Sequence, residues 1–108
     1  MYEYWVDHKE MVIWEGLLKL KGTLRYKDYK AVLTNEPCLY LYRLGTHDLR
    51  QAFDFKHYYI ENKSTYKMLI VNKDNSPLPL GQPRSYKLKR SSDQIPVERL
   101  IAMVFTNS

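Results

Sequence analysis

Residues 14–43 read WEGLLKLKGTLRYKDYKAVLTNEPCLYLYR, three apolar runs separated by two short turn signals. In the first run Val12, Trp14, Leu18 and Leu20 share one parity with Gly16 between them, and Lys19 and Lys21 take the other. That period of two is the mark of a half-buried strand. Gly22, Thr23 and the basic residues after them supply a turn. Over residues 29–34, Tyr29, Ala31 and Leu33 alternate with Lys30, Val32 and Thr34, which predicts a second strand. Asn35, Glu36 and Pro37 carry turn chemistry, and residues 38–43, CLYLYR, read as a third strand with two β-favouring tyrosines. Strands joined this tightly are antiparallel, because a parallel return needs a long crossover.

Working outward, the same rhythm continues. Ala52, Phe53 and Phe55 mark a fourth strand, residues 57–60 a short fifth and residues 66–71 a sixth, with Asn62, Lys63 and Ser64 dividing the last two. Residues 74–83, DNSPLPLGQP, hold three of the five prolines and predict a surface loop. A proline-rich ligand for SH3 or WW domains is a second reading of that loop, but the spacing has no PxxP repeat. Tyr86 and Leu88 alternate with Lys87 and Lys89 in a seventh strand. Ser92 or Asp93 then caps a helix, Pro96 suits its first turn, and Val97, Leu100, Ile101, Val104 and Phe105 fall on one helical face. The expected fold class is mainly β, a bent antiparallel sheet or barrel of about seven strands capped by a C-terminal α-helix. Residues 1–11 mix Tyr2, Tyr4 and Trp5 with charges and show no period, so they are expected as an N-terminal lead-in, with residues 12–108 as the domain.

Composition bounds the function. A chain of 108 residues is one domain, and 44% hydrophobic residues with ten tyrosines are enough for a core. Cys38 is the single cysteine, so no internal disulfide forms, and no run reaches the roughly 18 apolar residues of a membrane span. Glu3, Asp7 and Glu10 stand where a signal peptide needs a basic start and an apolar centre, so an intracellular, cytoplasmic location is expected. The end of the chain soon after the predicted helix reads as a domain excised from a larger protein. The net charge of +5 and pI near 9.3 attract anionic partners at long range.

Catalysis and metal binding are not expected. Cys38 with His47 or His57 is the one conceivable nucleophile pair, yet Cys38 belongs to an apolar strand and no sequence feature brings a base to it. His8, His47 and His57 lack metal-ligand spacing with one another or with Cys38. No enzyme, cofactor or metal is therefore anticipated. Nucleic-acid binding is disfavoured, since no RRM signature, zinc finger or helix-turn-helix is present.

The opening stretch resembles a pleckstrin-homology domain. Glu15, Gly16, Leu17 and Leu18 carry the likeness in the first strand, Tyr26, Lys27, Ala31, Val32 and Leu33 in the second, and Leu39, Tyr40, Leu41 and Tyr42 in the third. Residues 85–89 resemble the family's last strand, and residues 96–105 take the place of its C-terminal helix, with Leu100 or Ile101 where the family has a Trp. Tyr26 and Tyr29 around Lys27 and Asp28 are similar to the domain that precedes the SH2 domain in signal-transducing adaptor proteins.

The resemblance implies a non-catalytic signalling or adaptor module whose basic first-hairpin rim meets acidic phospholipid or phosphoinositide headgroups. The rim residues are Lys19, Lys21, Arg25, Lys27 and Lys30, five of the seventeen Lys and Arg in the chain. Leu20, Lys27 and Tyr29 stand at the family's phosphoinositide-motif positions, and only Lys27 matches it. Tyrosine in place of arginine forfeits a bidentate guanidinium grip, so weak, salt-sensitive binding at the inner membrane face is expected rather than a stereospecific site. The alternatives are a protein-interaction module of the same fold without lipid affinity, and a solvated lysine face that discourages aggregation. Tyr26, Tyr29, Tyr58 and Tyr59 read first as strand formers and second as phosphorylation sites, and a monomer is the expected state.

Overall fold

The structure, a computed structural model, describes residues 11–64, 67–74 and 76–90, together with residues 99, 102 and 104. Seven strands form in chain order: β1 (Val12–Lys21), β2 (Tyr26–Thr34), β3 (Cys38–Arg43), β4 (Leu49–Asp54), β5 (Tyr58–Asn62), β6 (Lys67–Asn72) and β7 (Ser85–Arg90). They make one antiparallel sheet in the order β4-β3-β2-β1-β7-β6-β5, in which β4 and β5 are the two edges and are not joined by a ladder.

The alternation read from the sequence sets which face is buried. Trp14, Leu18 and Leu20 of β1 lie on the same side as Ala31 and Leu33 of β2, Leu39 and Leu41 of β3, and Phe53 of β4. Ile60, Met68, Ile70 and Leu88 from the other half of the sheet complete this core. Each such fully buried aliphatic side chain contributes about 1.5–3 kcal/mol. Phe53 closes the gap between the halves, its ring 5.3 Å from Tyr58 and 4.9 Å from Tyr86, both edge-on.

Two details differ from the sequence expectation. Val12 does not share the face of Trp14. The register slips between them, leaving Ile13 as an extra residue, and Val12 packs with Val32, Cys38, Tyr40 and Tyr42 on the opposite face of the sheet. A bulge of this kind inverts the parity of everything before it. The second strand also begins earlier, at Tyr26 rather than Tyr29, because the Gly22 N–H donates to Arg25 O at 2.8 Å and closes a four-residue turn that leaves Lys21 opposite Tyr26.

The polar group buried between the second and third strands is accounted for. Thr34 Oγ1 lies 2.9 Å from Glu36 Oε1 and 3.3 Å from Cys38 O, and the Tyr40 hydroxyl donates to the same carboxylate oxygen at 2.8 Å. The β3–β4 turn uses Gly45 at φ +79°, a left-handed conformation that favours glycine. Residues 76–83 lie in no strand, and the Arg84 guanidinium donates to Asp74 O and, at 2.9 Å, to Ser76 O.

At the C-terminal end Arg99, Ala102 and Val104 have helical backbone, and Val104 is buried in the core. The rest of the predicted cap, Leu100 and Ile101 included, lies outside the described residues, as does the lead-in before Met11. Among the described residues no helix is long and apolar enough to cross a membrane.

Candidate functional site

The five rim residues do not form one surface. Strand parity divides them. Lys19 and Lys21 stand opposite Asp28 and Tyr26, and Lys30 opposite Leu17, all on the outer face of the sheet. Lys27 stands opposite Leu20, on the same side as the core, at the open end of the first hairpin. Arg25 lies in the turn between them and is exposed.

On the inner side, Lys27 has companions that the sequence reading did not include. A cleft of about 400 Å³ is lined by Lys27, Asp28, Tyr29, Arg43, Leu44 and Arg50. Arg43 is the direct cross-strand partner of Tyr29, so its guanidinium stands beside the position where an arginine was missing from the motif. Arg50 enters through a second bulge, where Leu41 pairs with Gln51 and Tyr42 with Leu49, so Arg50 is the extra residue.

The charges of this cleft are unevenly compensated. Asp48 lies 3.2 Å from Arg50, and Asp28 is taken by Lys19 from the outer face at 2.7 Å. Among the described residues Lys27 and Arg43 have no ion pair, which leaves two cations facing one opening. Centring the second hairpin on Glu36 places Arg43 opposite Tyr29, so this partner was available to sequence reasoning. The bulge that delivers Arg50 left no sequence mark.

The outer face carries a second concentration of charge. Asp28, Lys19, Lys89 and Lys67 are successive direct partners across β2, β1, β7 and β6. Lys21 and Lys87 share that parity, and Lys21 Nζ and Lys89 Nζ lie 5.5 Å and 4.3 Å from the centre of the Tyr26 ring. Like charges directly opposite in a sheet destabilise it, whereas an opposite-charge pair there contributes about 0.2–1 kcal/mol. Replacing Lys67→Glu, which turns the Lys67–Lys89 repulsion into attraction, is therefore expected to raise the unfolding free energy by a similar amount, read as a higher urea midpoint at unchanged m-value.

The remaining sequence candidates sit elsewhere. Cys38 opens β3 and is 7% exposed, and burial pushes its thiol up to about 11. At neutral pH it is a packed thiol, not a nucleophile. Tyr29 and Tyr58 pack against the core, and Tyr59 is the exposed one of the four tyrosines considered for modification. Among the described residues no group of His, Cys, Asp and Glu could hold a metal ion. Neither a scan against protein-family models nor a search of curated proteins matches this chain.

Proposed function

We propose that this chain is a non-catalytic module of the pleckstrin-homology type that binds acidic membrane surfaces weakly and so positions a larger signalling or adaptor protein at the inner face of a membrane. The strand order and the helical, core-buried Val104 support a sheet capped by a C-terminal helix. The observation that carries the functional reading is the cleft in which Lys27, Arg43 and Arg50 come together from three strands. Two guanidinium groups and an ammonium at one opening suit a phosphate-bearing headgroup, which takes bidentate and point-charge contacts. Leu24 and Leu44, both exposed on the turns beside it, add apolar surface that suits the headgroup–acyl boundary.

Asp28 and Asp48 beside these cations, and the openness of the rim, make the grip diffuse. Binding is expected on vesicles containing phosphatidylserine or phosphoinositides and not on phosphatidylcholine alone, with little discrimination among phosphoinositide isomers. Cosedimentation between about 0.1 and 1 M salt, over which the Debye length shrinks from about 10 to 3 Å, is the test. The bound fraction should fall steeply. Equal retention on neutral and acidic vesicles, or on neither, overturns the reading and leaves a module that contacts protein.

A further inference from the structure

We propose that the outer face of β1, β7 and β6 is a second contact for an acidic bilayer, separate from the cleft; it rests on the reading that the domain meets acidic membranes. Five lysines share this face: Lys19 and Lys21 on β1, Lys87 and Lys89 on β7, and Lys67 on β6. Three of them, Lys19, Lys89 and Lys67, are in direct cross-strand register. The opposing charge in that row is Asp28, already 2.7 Å from Lys19. Lys67 and Lys87 have no ion pair among the described residues.

Such a row costs stability, and the usual reason for tolerating it does not apply. Lysines on an edge strand discourage pairing with another chain. Here β1, β7 and β6 are interior strands with a partner on each side, and the edges are β4 and β5. Tyr26 holds Lys21 and Lys89 against its ring and Asp28 holds Lys19. Among the described residues Lys67 and Lys87 have no ion pair or ring contact, and charge kept there without a local structural benefit marks a surface with a use.

The form of the surface selects the partner. Interior strands offer no open ladder for an added peptide strand. One cleft is lined from the inner side by Lys27, Tyr29 and Arg43, and a second, between the β1–β2 turn and the start of β7, takes in Lys21 and Lys87 beside Leu20, Gly22 and Tyr86, while Lys19, Lys89 and Lys67 line neither. A single multivalent phosphate needs donors that converge. Lys19, Lys89 and Lys67 instead stand side by side on flexible stems, with Lys21 and Lys87 at one end of the row, a spread of point charges that matches a fluid array of headgroups. A bilayer is the ligand that asks for area and charge without a pocket.

The test is the full chain carrying Lys67→Glu with Lys87→Glu, neither of which touches the cleft. Partitioning onto vesicles of phosphatidylcholine with phosphatidylserine is expected to weaken about tenfold or more at low salt. Lys67→Glu is expected to stabilise the sheet, so a loss of binding with an unchanged or raised urea midpoint is not a folding defect. If the wild type binds and the double variant binds equally well, the outer face is not a membrane contact, while the proposed function stands. If the wild type does not bind acidic vesicles at all, both fall. Retained vesicle binding with a lost RNA gel shift would assign the face to nucleic acid and overturn the bilayer contact.

Discussion

Phe53→Ala is expected to lower the unfolding free energy by about 3–5 kcal/mol, a large share of the 5–15 kcal/mol that holds a typical domain together. Phe53 is fully buried on β4, and β4 and β5 are the edges that no ladder joins. What spans them is a triangle of rings. Phe53 meets Tyr58 of β5 at 5.3 Å and 82°, and Tyr86 of β7 at 4.9 Å and 67°, while Tyr58 and Tyr86 stand 6.5 Å apart. Each edge-on pair adds about 0.5–1.5 kcal/mol beyond area burial. Burial also pushes the Tyr86 hydroxyl above its ordinary pKa, as expected of a ring drawn under cover. The measurement is the urea midpoint, with Tyr59→Ala on the exposed side of β5 as the comparison, where a loss below about 1 kcal/mol is expected. A Phe53→Ala cost as small as that would mean that the two halves of the sheet hold without the ring triangle.

The hairpins of residues 14–43 were legible in the sequence because their turns are short and their alternation is long. Ala31 and Leu33 against Lys30 and Val32, followed by a turn at Glu36 and Pro37, fix both direction and register before any coordinate is known. The division of the basic rim was legible too, though the count of charges hid it: if Leu18 and Leu20 face inward, Lys19 and Lys21 face outward, and a hairpin partner of Leu20 such as Lys27 faces inward with it. What could not be read were the features that depend on pairing between distant segments or on an extra residue. Nothing near Lys19 announces that Lys89 and Lys67 will lie beside it, since β1 pairs with β7, a strand more than sixty residues along the chain. The bulges at Ile13 and Arg50 change parity without a glycine or proline to mark them. One of them moves Val12 to the far face, and the other brings Arg50 to the cleft.

Both cationic surfaces flank the same hairpin, so its two strands present charge on opposite sides of one β-ribbon. This arrangement makes a sum of charges a poor guide to affinity. Lys19 is held by Asp28 and Lys30 by Glu15, at 2.7 and 3.2 Å, and exposed pairs of this kind are worth about 0–1 kcal/mol to the fold, yet they subtract from the field that an anionic partner meets. Among the described residues no acidic side chain is ion-paired with Lys27 or Arg43 within the cleft, nor with Lys67 or Lys87 outside it.

Reversing the first of these pairs, Lys27→Glu with Arg43→Glu, is expected to weaken binding to acidic vesicles at low salt by between about 30-fold and several hundred-fold. A basic residue near an anionic surface contributes about 1 kcal/mol, so loss of two corresponds to the lower figure, and replacing attraction by repulsion approaches the upper. Both side chains are exposed and sit at strand ends, so the folded sheet should be retained, which the urea midpoint checks. Near 1 M salt the variant and the wild type should converge, because screening removes what the substitutions removed. Arg43→Lys separates charge from geometry. A cleft that grips one phosphate through the Arg43 guanidinium fork loses much of its affinity when Arg43 becomes Lys, whereas a diffuse contact keeps nearly all of it. Near-equal binding of Arg43→Lys and wild type, together with collapse of the double reversal, is the expected pattern; a strong effect of Arg43→Lys would instead establish a stereospecific headgroup site.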